Sequence, residues 1–415
     1  MSQDPLHLLV VETRFPGRLG AVADWMVRKR GCRVTFFCHQ ADPAPLWPEG
    51  TGKGLEVVSF NVGGVAREAT VPWTRQLERG LCHAYGAWEV VESRRIRPVD
   101  VILGRSNGLG STLFAPVSYP RAPVVNWFDY YYQARAMDLA EEDAPTLPAE
   151  YVQWRRSANA MDLLDLENGV VPWIGTHWQR DLYPPEYRDD FLVLHDGVDT
   201  RRFKPRDPTT PRLIGGREIP EGTRVVTFVS SSLDRLRGFD RFYRLAARVL
   251  AERSDVLFVA IGDPAVGRTL DVRFHGQNYP DALAKASPLP DPSRLWMPGT
   301  VPPNTVAETL AASDLHLVPS RTYPVARSLL EAMASGAVVL AWDAPPIHEV
   351  LKSGENAVIV QPEEVERKAL EILADPGPFR PIGEAARRTV LDRYDRDETL
   401  SSLAETLNDL ARGGR

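Results

Sequence analysis

One acidic residue stands out between two strongly apolar segments in the C-terminal half of the sequence. Glu331 belongs to RTYPVARSLLEAMASG, a predicted helix of apolar and small residues between the predicted strands DLHLVPS and AVVLAW. A helix that follows a parallel strand presents free backbone N–H groups above the sheet, so its start near Pro324 could bind a diphosphate. A carboxylate further along the helix could accept two hydrogen bonds from a ribose. The spacing is compatible with a nucleotide site, and also with a helix whose one acid is simply solvated.

Two glycine-containing segments could also approach a ligand. FPGRLG, residues 15–20, lies between the first predicted strand and the first predicted helix. Gly17 can let the backbone come close to an anion there, but an ordinary turn explains the segment equally well. GRSNGLGS, residues 104–111, has the spacing GxxxGxG rather than GxGxxG, and no acidic residue ends a following strand at the right distance. A tight strand-to-helix turn is the better interpretation of the second segment, which argues against a nicotinamide- or flavin-dependent enzyme.

Other kinds of chemistry find little support in the sequence. The eight histidines include no HExxH motif and no pair at positions i and i+4, so we expect no metal site. His177 and His195 lie at or near the ends of predicted strands, where most histidines are structural. No GxSxG motif is present, which argues against a serine hydrolase. Cys32, Cys38 and Cys82 form no CxxC pair, which is typical of a reducing compartment.

Length and composition indicate an ordinary globular protein. The chain has 415 residues, of which 43% are hydrophobic and 25% are charged, and this is enough for two domains with separate cores. A formal net charge of −6 gives no reason to expect nucleic acid as a partner. No run approaches eighteen apolar residues, and no basic segment precedes the first apolar run. We therefore expect a cytoplasmic protein without a signal peptide or a membrane span.

Short apolar runs alternate with helical periodicity, which predicts an α/β fold with parallel sheets. The predicted strands of the first half are HLLVVE, RVTFFCH, LEVVSFNV, VDVILGR, PVVNWF, WIGTH and FLVLHDGV. A stretch rich in proline and glycine follows Pro205, and RVVTFVSSS, GFDRFYRLAARVLAER and DVLFVAIGD then repeat the order strand, helix, strand. We expect two Rossmann-like domains, at residues 1–205 and 206–395, with a helix and tail at 396–415.

Motifs along nearly the whole chain resemble glycosyltransferase family 4, whose members have the GT-B fold. SLLEAMASGAVVLAWDAPPIHEVLKSGENAVIV resembles the donor-binding region of that family, LDRLRGFDRF its donor-phosphate loop, and ASDLHLVPS the strand that leads to the donor site. FPG resembles the first glycine loop of the family. VNWFDYYYQA and THWQRDLYPPEYRDDFLVLHDGVDTRRFKP are similar to segments of a bacterial subgroup. The resemblance implies an N-terminal acceptor domain and a C-terminal donor domain facing a cleft, with the C-terminal helix crossing back to the N-terminal domain.

The resemblance also implies roles for individual residues. Glu331 matches the acid that binds the ribose of a nucleotide-sugar, and Arg237 matches the cation that neutralises the donor diphosphate and serves catalysis. Asp129, within NWFDYYY, is a candidate to contact the sugar or the acceptor; the alternative is a buried acid paired with a tyrosine or an arginine. The expected donor-binding residues are Gly17, Ser231, Ser232, Arg237, Tyr323, Pro324, Val325, Ala326, Arg327, Ser328 and Glu331.

Two positions depart from the pattern of the family. The usual pair of glutamates, separated by seven intervening residues, would place an acid at Tyr323, and an arginine usually stands where this chain has Ser231. Arg235 or Arg327 could supply the missing cation from nearby. Loss of one of two cations removes a charge-assisted contact to a diphosphate.

The expected reaction transfers a sugar from a nucleotide-diphosphate donor to a hydroxyl group of a glycan or small molecule, with retention at the anomeric carbon. We expect no cofactor, no metal and no nucleic-acid partner. The alternative function, which the substitutions at Ser231 and Tyr323 suggest, is a catalytically weakened GT-B protein that binds a nucleotide or glycan as a partner subunit.

Overall fold

The computed structural model describes residues 5–41, 52–62, 73–94, 96, 98–106, 112–133, 149–264, 278–319 and 325–413. The chain forms two compact units. The N-terminal unit consists of Met1–Asp196 together with Asp397–Arg415, and the C-terminal unit consists of Gly197–Arg396. No helix in the described ranges is both long enough and apolar enough to cross a membrane.

The N-terminal unit is built on a seven-stranded parallel sheet with the order β3-β2-β1-β4-β5-β6-β7. Its strands are β1 (His7–Phe15), β2 (Arg33–Ala41), β3 (Leu55–Ser59), β4 (Val101–Arg105), β5 (Val124–Trp127), β6 (Val171–Ile174) and β7 (Leu192–Val193). Side chains on both faces of β1 are buried, as expected for a parallel sheet covered by helices.

Helices connect these strands. They are α1 (Leu19–Arg30), α2 (Arg75–Arg94), α3 (Ala115–Ser118), α4 (Ala149–Ser157), α5 (Ala160–Glu167) and α6 (His177–Arg180), followed by a 3-10 helix at Pro185–Asp190. Helix α1 ends at Gly31, whose φ of +67° and hydrogen bond to the carbonyl of Val27 form a left-handed cap.

The C-terminal unit repeats this architecture with a six-stranded parallel sheet, ordered β12-β11-β10-β13-β14-β15, and a short antiparallel pair, β8-β9. Its strands are β8 (Leu213–Ile214), β9 (Arg217–Glu218), β10 (Arg224–Ser232), β11 (Val256–Asp263), β12 (Leu295–Gly299), β13 (Leu315–Val318), β14 (Val338–Trp342) and β15 (Val358–Val360).

The helices of the C-terminal unit cover both faces of its sheet. They are α7 (Phe239–Glu252), α8 (Tyr279–Ala286), α9 (Pro303–Ala311), α10 (Arg327–Ala334), α11 (Val365–Ala374) and α12 (Arg380–Arg393). Short 3-10 helices lie at Pro292–Arg294, Pro345–Ile347, Pro362–Glu364 and Gly377–Phe379. Apolar side chains of α7 and α11 pack in one core, and those of α10 and α12 pack in another.

The last helix, α13 (Arg396–Ala411), belongs to the N-terminal unit almost entirely. Leu400, Leu403 and Leu407 are buried in the same core as residues of α1 and β1, and the indole N–H of Trp25 donates to Asp397 Oδ1 at 2.7 Å. The expectation that the C-terminal helix crosses back to the N-terminal domain is therefore confirmed.

The division between the units falls after Asp196, whereas the proline- and glycine-rich sequence suggests a boundary at residue 205. Residues just after Asp196 already pack in the C-terminal unit. Val198 forms a bridge with Asp395, and Phe203 is buried in the core that contains Leu330. The proline- and glycine-rich stretch itself contains strands β8 and β9, with Ile214 fully buried.

Candidate functional site

The C-terminal unit contains a pocket where the strand order of its sheet reverses. From β10 the chain continues to β11 and β12 on one side, and from β13 it continues to β14 and β15 on the other. Loops that follow neighbouring strands at such a point diverge and leave a crevice at the carboxyl ends. The pocket has about 490 Å³ of empty space and opens to solvent. It is lined by Phe228, Val229, Ser230, Arg237, His316, Leu317, Val318, Pro319, Val325, Ala326, Ser328, Leu329 and Ile347.

The loop between β10 and α7 holds Arg237 at this pocket. The backbone N–H of Arg237 donates to Asp234 Oδ1 at 2.9 Å, and Ser232 Oγ donates to Asp234 Oδ2 at 2.6 Å. Gly238 follows with a φ of +84°, and a Cβ atom added there would lie 2.8 Å from Cγ of Pro319. Glycine is therefore required for this loop to pack directly on the end of β13.

Arg241, which the sequence reasoning missed, connects α7 to the ends of β13 and β14. From α7, its Nη1 donates to the carbonyl oxygen of Pro319, after β13, at 2.9 Å. Its guanidinium group lies 4.1 Å from the centroid of the Trp342 ring, at the end of β14. The signal in the sequence was a third basic residue in the segment RLRGFDR.

The first turn of α10 forms another wall of the pocket. Val325, Ala326, Ser328 and Leu329 line it. Ala326, the N-cap residue, provides no side-chain cap, and the first turn carries no acidic residue. The positive end of the helix dipole is thus available to an anion in the pocket.

Glu331 lies four residues after the first residue of α10, a rise of about 6 Å along the helix axis. The residue is half-buried, and it is not among the described residues that line the pocket. Its carbonyl oxygen accepts hydrogen bonds from the backbone N–H and the hydroxyl of Ser335 near the end of the helix.

The expected donor residues are partly brought together. Arg237, Val325, Ala326 and Ser328 line one pocket. Ser231 is exposed at the end of β10, and Ser232 donates a hydrogen bond to Asp234. Arg327 is the half-buried first residue of α10. Tyr323 and Pro324 lie outside the described residues, as does most of the glycine segment 104–111.

His316, which the sequence reasoning also missed, lies at the floor of the pocket and is 2% exposed. Its Nδ1 atom is 2.9 Å from Oγ1 of Thr227, which is itself 2.7 Å from Oγ of Ser313. Burial lowers the pKa of His316 to about 3, so the imidazole is neutral at physiological pH. The available signal was a histidine within the otherwise apolar strand LHLV.

In the N-terminal unit, Gly17 lies against an internal carboxylate. Its φ is +51°, and a Cβ atom added there would lie 2.6 Å from Oε2 of Glu12. The same Glu12 oxygen accepts a hydrogen bond from the backbone N–H of Leu19 at 2.8 Å. The start of α1 is therefore already stabilised by an anion of the protein itself.

Asp129 forms a half-buried ion pair at the carboxyl edge of the same sheet. Arg105 contacts Asp129 with one guanidinium nitrogen and Glu12 with the other, the latter at 2.9 Å. The indole N–H of Trp127 donates to Asp129 Oδ1 at 2.5 Å. Burial by itself would raise the pKa of Asp129. The positive charges of Arg105 and Arg18 have a larger combined effect, so the pKa of Asp129 is lowered overall. Asp129 is therefore a carboxylate at neutral pH, able to accept hydrogen bonds.

The fold, two parallel-sheet α/β units with a pocket at a strand-order reversal, is that of the GT-B class. Solved structures similar over nearly the full length support this assignment. They include sucrose-phosphate synthase from Thermosynechococcus elongatus, with a TM-score of 0.69, 14% identity and coverage of 99% of this chain and 100% of that chain. WaaG, a glycosyltransferase involved in lipopolysaccharide biosynthesis, has a TM-score of 0.67 and 18% identity, with coverage of 97% and 99%. Anabaena HepE in complex with UDP-glucose has a TM-score of 0.66 and 15% identity, with coverage of 97% and 99%.

Family models identify both parts of the chain. Residues 30–203 match the glycosyl transferase family 4 group, and residues 211–389 match the glycosyl transferases group 1. The chain belongs to the GT-B glycosyltransferases of this family 4 and group 1 type, which confirms the resemblance found in its motifs.

Curated relatives match this chain over only part of their length. D-inositol 3-phosphate glycosyltransferase from Rhodococcus opacus (strain B4) is 27% identical over 220 residues, which are 52% of this chain and 47% of that protein. Glycogen synthase from Streptococcus sanguinis (strain SK36) is 27% identical over 230 residues, which are 54% of this chain and 44% of that protein. The chain thus spans about half the length of these relatives.

Proposed function

We propose that the protein transfers a sugar from a nucleotide-diphosphate donor to an acceptor hydroxyl group, with retention at the anomeric carbon. The observation that carries this proposal is the convergence of Arg237 and the first turn of α10 on one pocket at the strand-order reversal. A guanidinium group and a helix N-terminus are both suited to a diphosphate.

The main chemical task of these groups is to stabilise the departing diphosphate. Charge develops on the phosphate oxygens as the bond to the sugar breaks, and preorganised dipoles and cations lower the energy of that state. Asp234 holds the backbone of Arg237 in place, so little reorganisation is needed during the reaction. In the mechanism of this family, the departing phosphate can itself take the proton of the acceptor, so no histidine base is required.

Glu331 is proposed to bind the ribose of the donor, because it follows the diphosphate-binding turn on the same helix. The N-terminal unit is proposed to bind the acceptor. Asp129 remains the candidate there, as an ionised hydrogen-bond acceptor for a sugar or acceptor hydroxyl, since its charge is maintained by Arg105. Gly17, which packs on Glu12, is proposed to shape the same edge of the sheet.

The comparisons are consistent with a nucleotide-sugar donor, because one similar structure holds UDP-glucose. We propose that neither a metal nor another cofactor takes part, since Arg237 and α10 supply positive potential to the pocket. A cytoplasmic location also remains a proposal.

The second candidate function is that of a catalytically weakened nucleotide- or glycan-binding subunit. It is favoured by the exposed serine at position 231, where the family usually has an arginine. Arg237 is the one charged side chain among the described residues that line the pocket. A weakened enzyme would still bind nucleotides, so binding alone does not separate the two functions.

Two measurements test the proposal. Melting temperatures are first measured with UDP, GDP, ADP and TDP, because a ligand that binds the folded state raises the melting temperature. The sugar nucleotides of the best nucleoside diphosphate are then tested for hydrolysis without any acceptor. Binding with hydrolysis supports the transferase, binding without hydrolysis supports the partner subunit, and the absence of any binding overturns both. Arg244→Ala, a substitution of an exposed arginine on α7, serves as a control that should leave binding unchanged.

A further inference from the structure

The floor of the donor pocket carries a polar side chain to which the proposed mechanism gives no role. His316 lies on β13, in register with Thr227 of β10 and Val339 of β14. Its chain neighbours Leu315 and Leu317 pack in the apolar core. An imidazole therefore occupies a central strand, and its burial is costly unless its nitrogens form hydrogen bonds.

Only one of the two ring nitrogens of His316 has a partner within the described part of the chain. Nδ1 pairs with the hydroxyl of Thr227, at 2.9 Å. Thr227 is fully buried and pairs with Ser313 as well, at 2.7 Å. No hydrogen bond to Nε2 is formed by any described residue, and His316 is one of the residues that line the pocket.

The protons along this hydroxyl chain can run in either direction, because each hydroxyl group and Nδ1 can act as donor or acceptor. If Ser313 donates to Thr227 and Thr227 donates to Nδ1, the proton of the neutral imidazole is on Nε2. In that orientation Nε2 is the hydrogen-bond donor of a residue that lines the pocket. The low pKa of His316, about 3, keeps this donor uncharged across the physiological range.

Other donors converge on the same space. The hydroxyl groups of Ser230, on β10, and Ser328, in the first turn of α10, belong to residues that line the pocket. Together with Arg237 and the start of α10, they form a set of donors without any acidic residue among the described lining residues. Such a set suits an oxygen-rich anion.

We propose that His316 is a ligand-binding residue of this pocket, whose Nε2–H donates a hydrogen bond to a phosphate oxygen of a nucleoside diphosphate. This inference rests on the proposed function, because it assigns the diphosphate of the donor to the same pocket. Thr227 acts as a positioning residue that sets the orientation and the tautomer of the ring.

The test compares three ligands by isothermal titration calorimetry: UDP, inorganic pyrophosphate and uridine. If UDP is not the best nucleoside diphosphate of the thermal panel, the preferred diphosphate and its nucleoside replace UDP and uridine. His316→Phe keeps a planar aromatic ring but removes both nitrogens. We expect about tenfold weaker binding of the diphosphate and of pyrophosphate, the scale of one lost hydrogen bond to a charged group, and unchanged binding of the nucleoside.

Thr227→Val gives a second variant, since it removes the partner of Nδ1 while keeping the side-chain shape. Thr309→Val is its matched control, because Thr309 is equally buried in this unit and donates to the carbonyl of Thr305 on α9. We expect weaker binding of the diphosphate by Thr227→Val and wild-type binding by Thr309→Val.

A measurement on the wild-type protein keeps the proposal testable if His316→Phe does not fold. Protein labelled with ¹⁵N-histidine is titrated with the diphosphate, and the resonance of His316 is assigned through Thr227→Val. A shift of the Nε2 resonance with the diphosphate but not with the nucleoside supports the proposal. If the wild type binds the diphosphate without this shift, and the variants bind it as tightly as the wild type, the role of His316 is overturned. The proposed function would then stand. If the wild type binds no nucleoside diphosphate at all, the proposed function fails and this inference with it.

Discussion

The carboxylate of Glu12 accepts a hydrogen bond from the backbone N–H of Leu19 at 2.8 Å, at the start of α1. The sequence suggested that this helix start could bind the anion of a ligand. In the structure, the carboxylate of Glu12 lies at this helix start. Gly17 lies directly against the same carboxylate. The glycine is needed both for its left-handed backbone and for this close approach.

We expect Gly17→Ala to destabilise the protein by about 2 to 4 kcal/mol, which combines the cost of a left-handed alanine with a steric clash. Gly31→Ala is a matched control, because Gly31 has a φ of +67° but no atom within 4 Å of an added Cβ. It should cost only about 1 to 2 kcal/mol. Urea denaturation measures both values, and equal losses for the two variants would show that contact with Glu12 is unimportant.

Arg237→Ala should reduce kcat/KM by roughly 10²-fold or more, the scale of losing one preorganised electrostatic contact to the transition state. Arg235→Ala and Arg327→Ala are the comparison variants, since either arginine could replace the cation missing at Ser231. Ser231→Arg should be tolerated and should tighten donor binding. Steady-state kinetics test this assignment. If kcat/KM of Arg237→Ala stays within about threefold of the wild type while that of Arg235→Ala or Arg327→Ala is lost, the phosphate-binding role belongs to the other arginine.

Glu331→Ala should weaken nucleoside diphosphate binding by roughly 1.5 to 3 kcal/mol, the range for a hydrogen bond to a charged group. The wild type should also prefer a ribonucleotide to its 2′-deoxy analogue, whereas the variant should bind both alike. Calorimetric titration measures these affinities, with Glu384→Ala, an exposed acid of α12, as the control. A folded Glu331→Ala protein with wild-type affinity would rule out the ribose contact.

Arg241→Met should destabilise the C-terminal unit by about 1 to 3 kcal/mol, because it removes a hydrogen bond to Pro319 and a cation–π contact with Trp342. Nucleotide affinity should fall as well, since Pro319 lines the pocket. Arg244→Met, on the same helix but exposed, should change neither quantity. Thermal unfolding and calorimetry test both effects, and identical behaviour of the two variants would contradict the assigned role.

Asp165 should make stability depend on pH. Burial raises the pKa of Asp165 from 3.8 to about 6, although Asn126 donates a hydrogen bond to its Oδ2 atom at 3.0 Å. Because the folded state then binds the proton more tightly than the unfolded state, the contribution of Asp165 to stability falls as pH rises from about 3.8 to about 6. The total effect is up to about 3 kcal/mol.

Asp165→Asn removes this titration and retains an oxygen for Asn126. The variant should therefore be about as stable as the wild type near pH 4 and more stable above pH 6. Melting temperatures from pH 4 to pH 8 provide the test, with the exposed Asp189→Asn as the control. A difference between Asp165→Asn and the wild type that does not change with pH would contradict the assignment.

Local pattern was sufficient to predict the elements and the family. The structure has β10 and α7 at the predicted segments RVVTFVSSS and GFDRFYRLAARVLAER. A strand buried on both faces has a continuous apolar run, and a helix buried on one face has apolar residues at helical spacing, so both can be predicted from the sequence. The motif around Glu331 and the segment containing Arg237 identified the family, which the family models confirm. These features depend on residues close together in the chain.

Contacts between distant segments were decided only by the tertiary structure. The sequence alone does not predict that β10 lies beside β13. That pairing creates the pocket, and it buries His316 against Thr227. In the same way, only the packed structure brings Glu12 and Asp129 to the two terminal nitrogens of Arg105. Periodicity reports which face of an element is buried. The identity of the partner, and hence the charge and hydrogen bonds of a buried group, depends on strand order and packing across the whole domain.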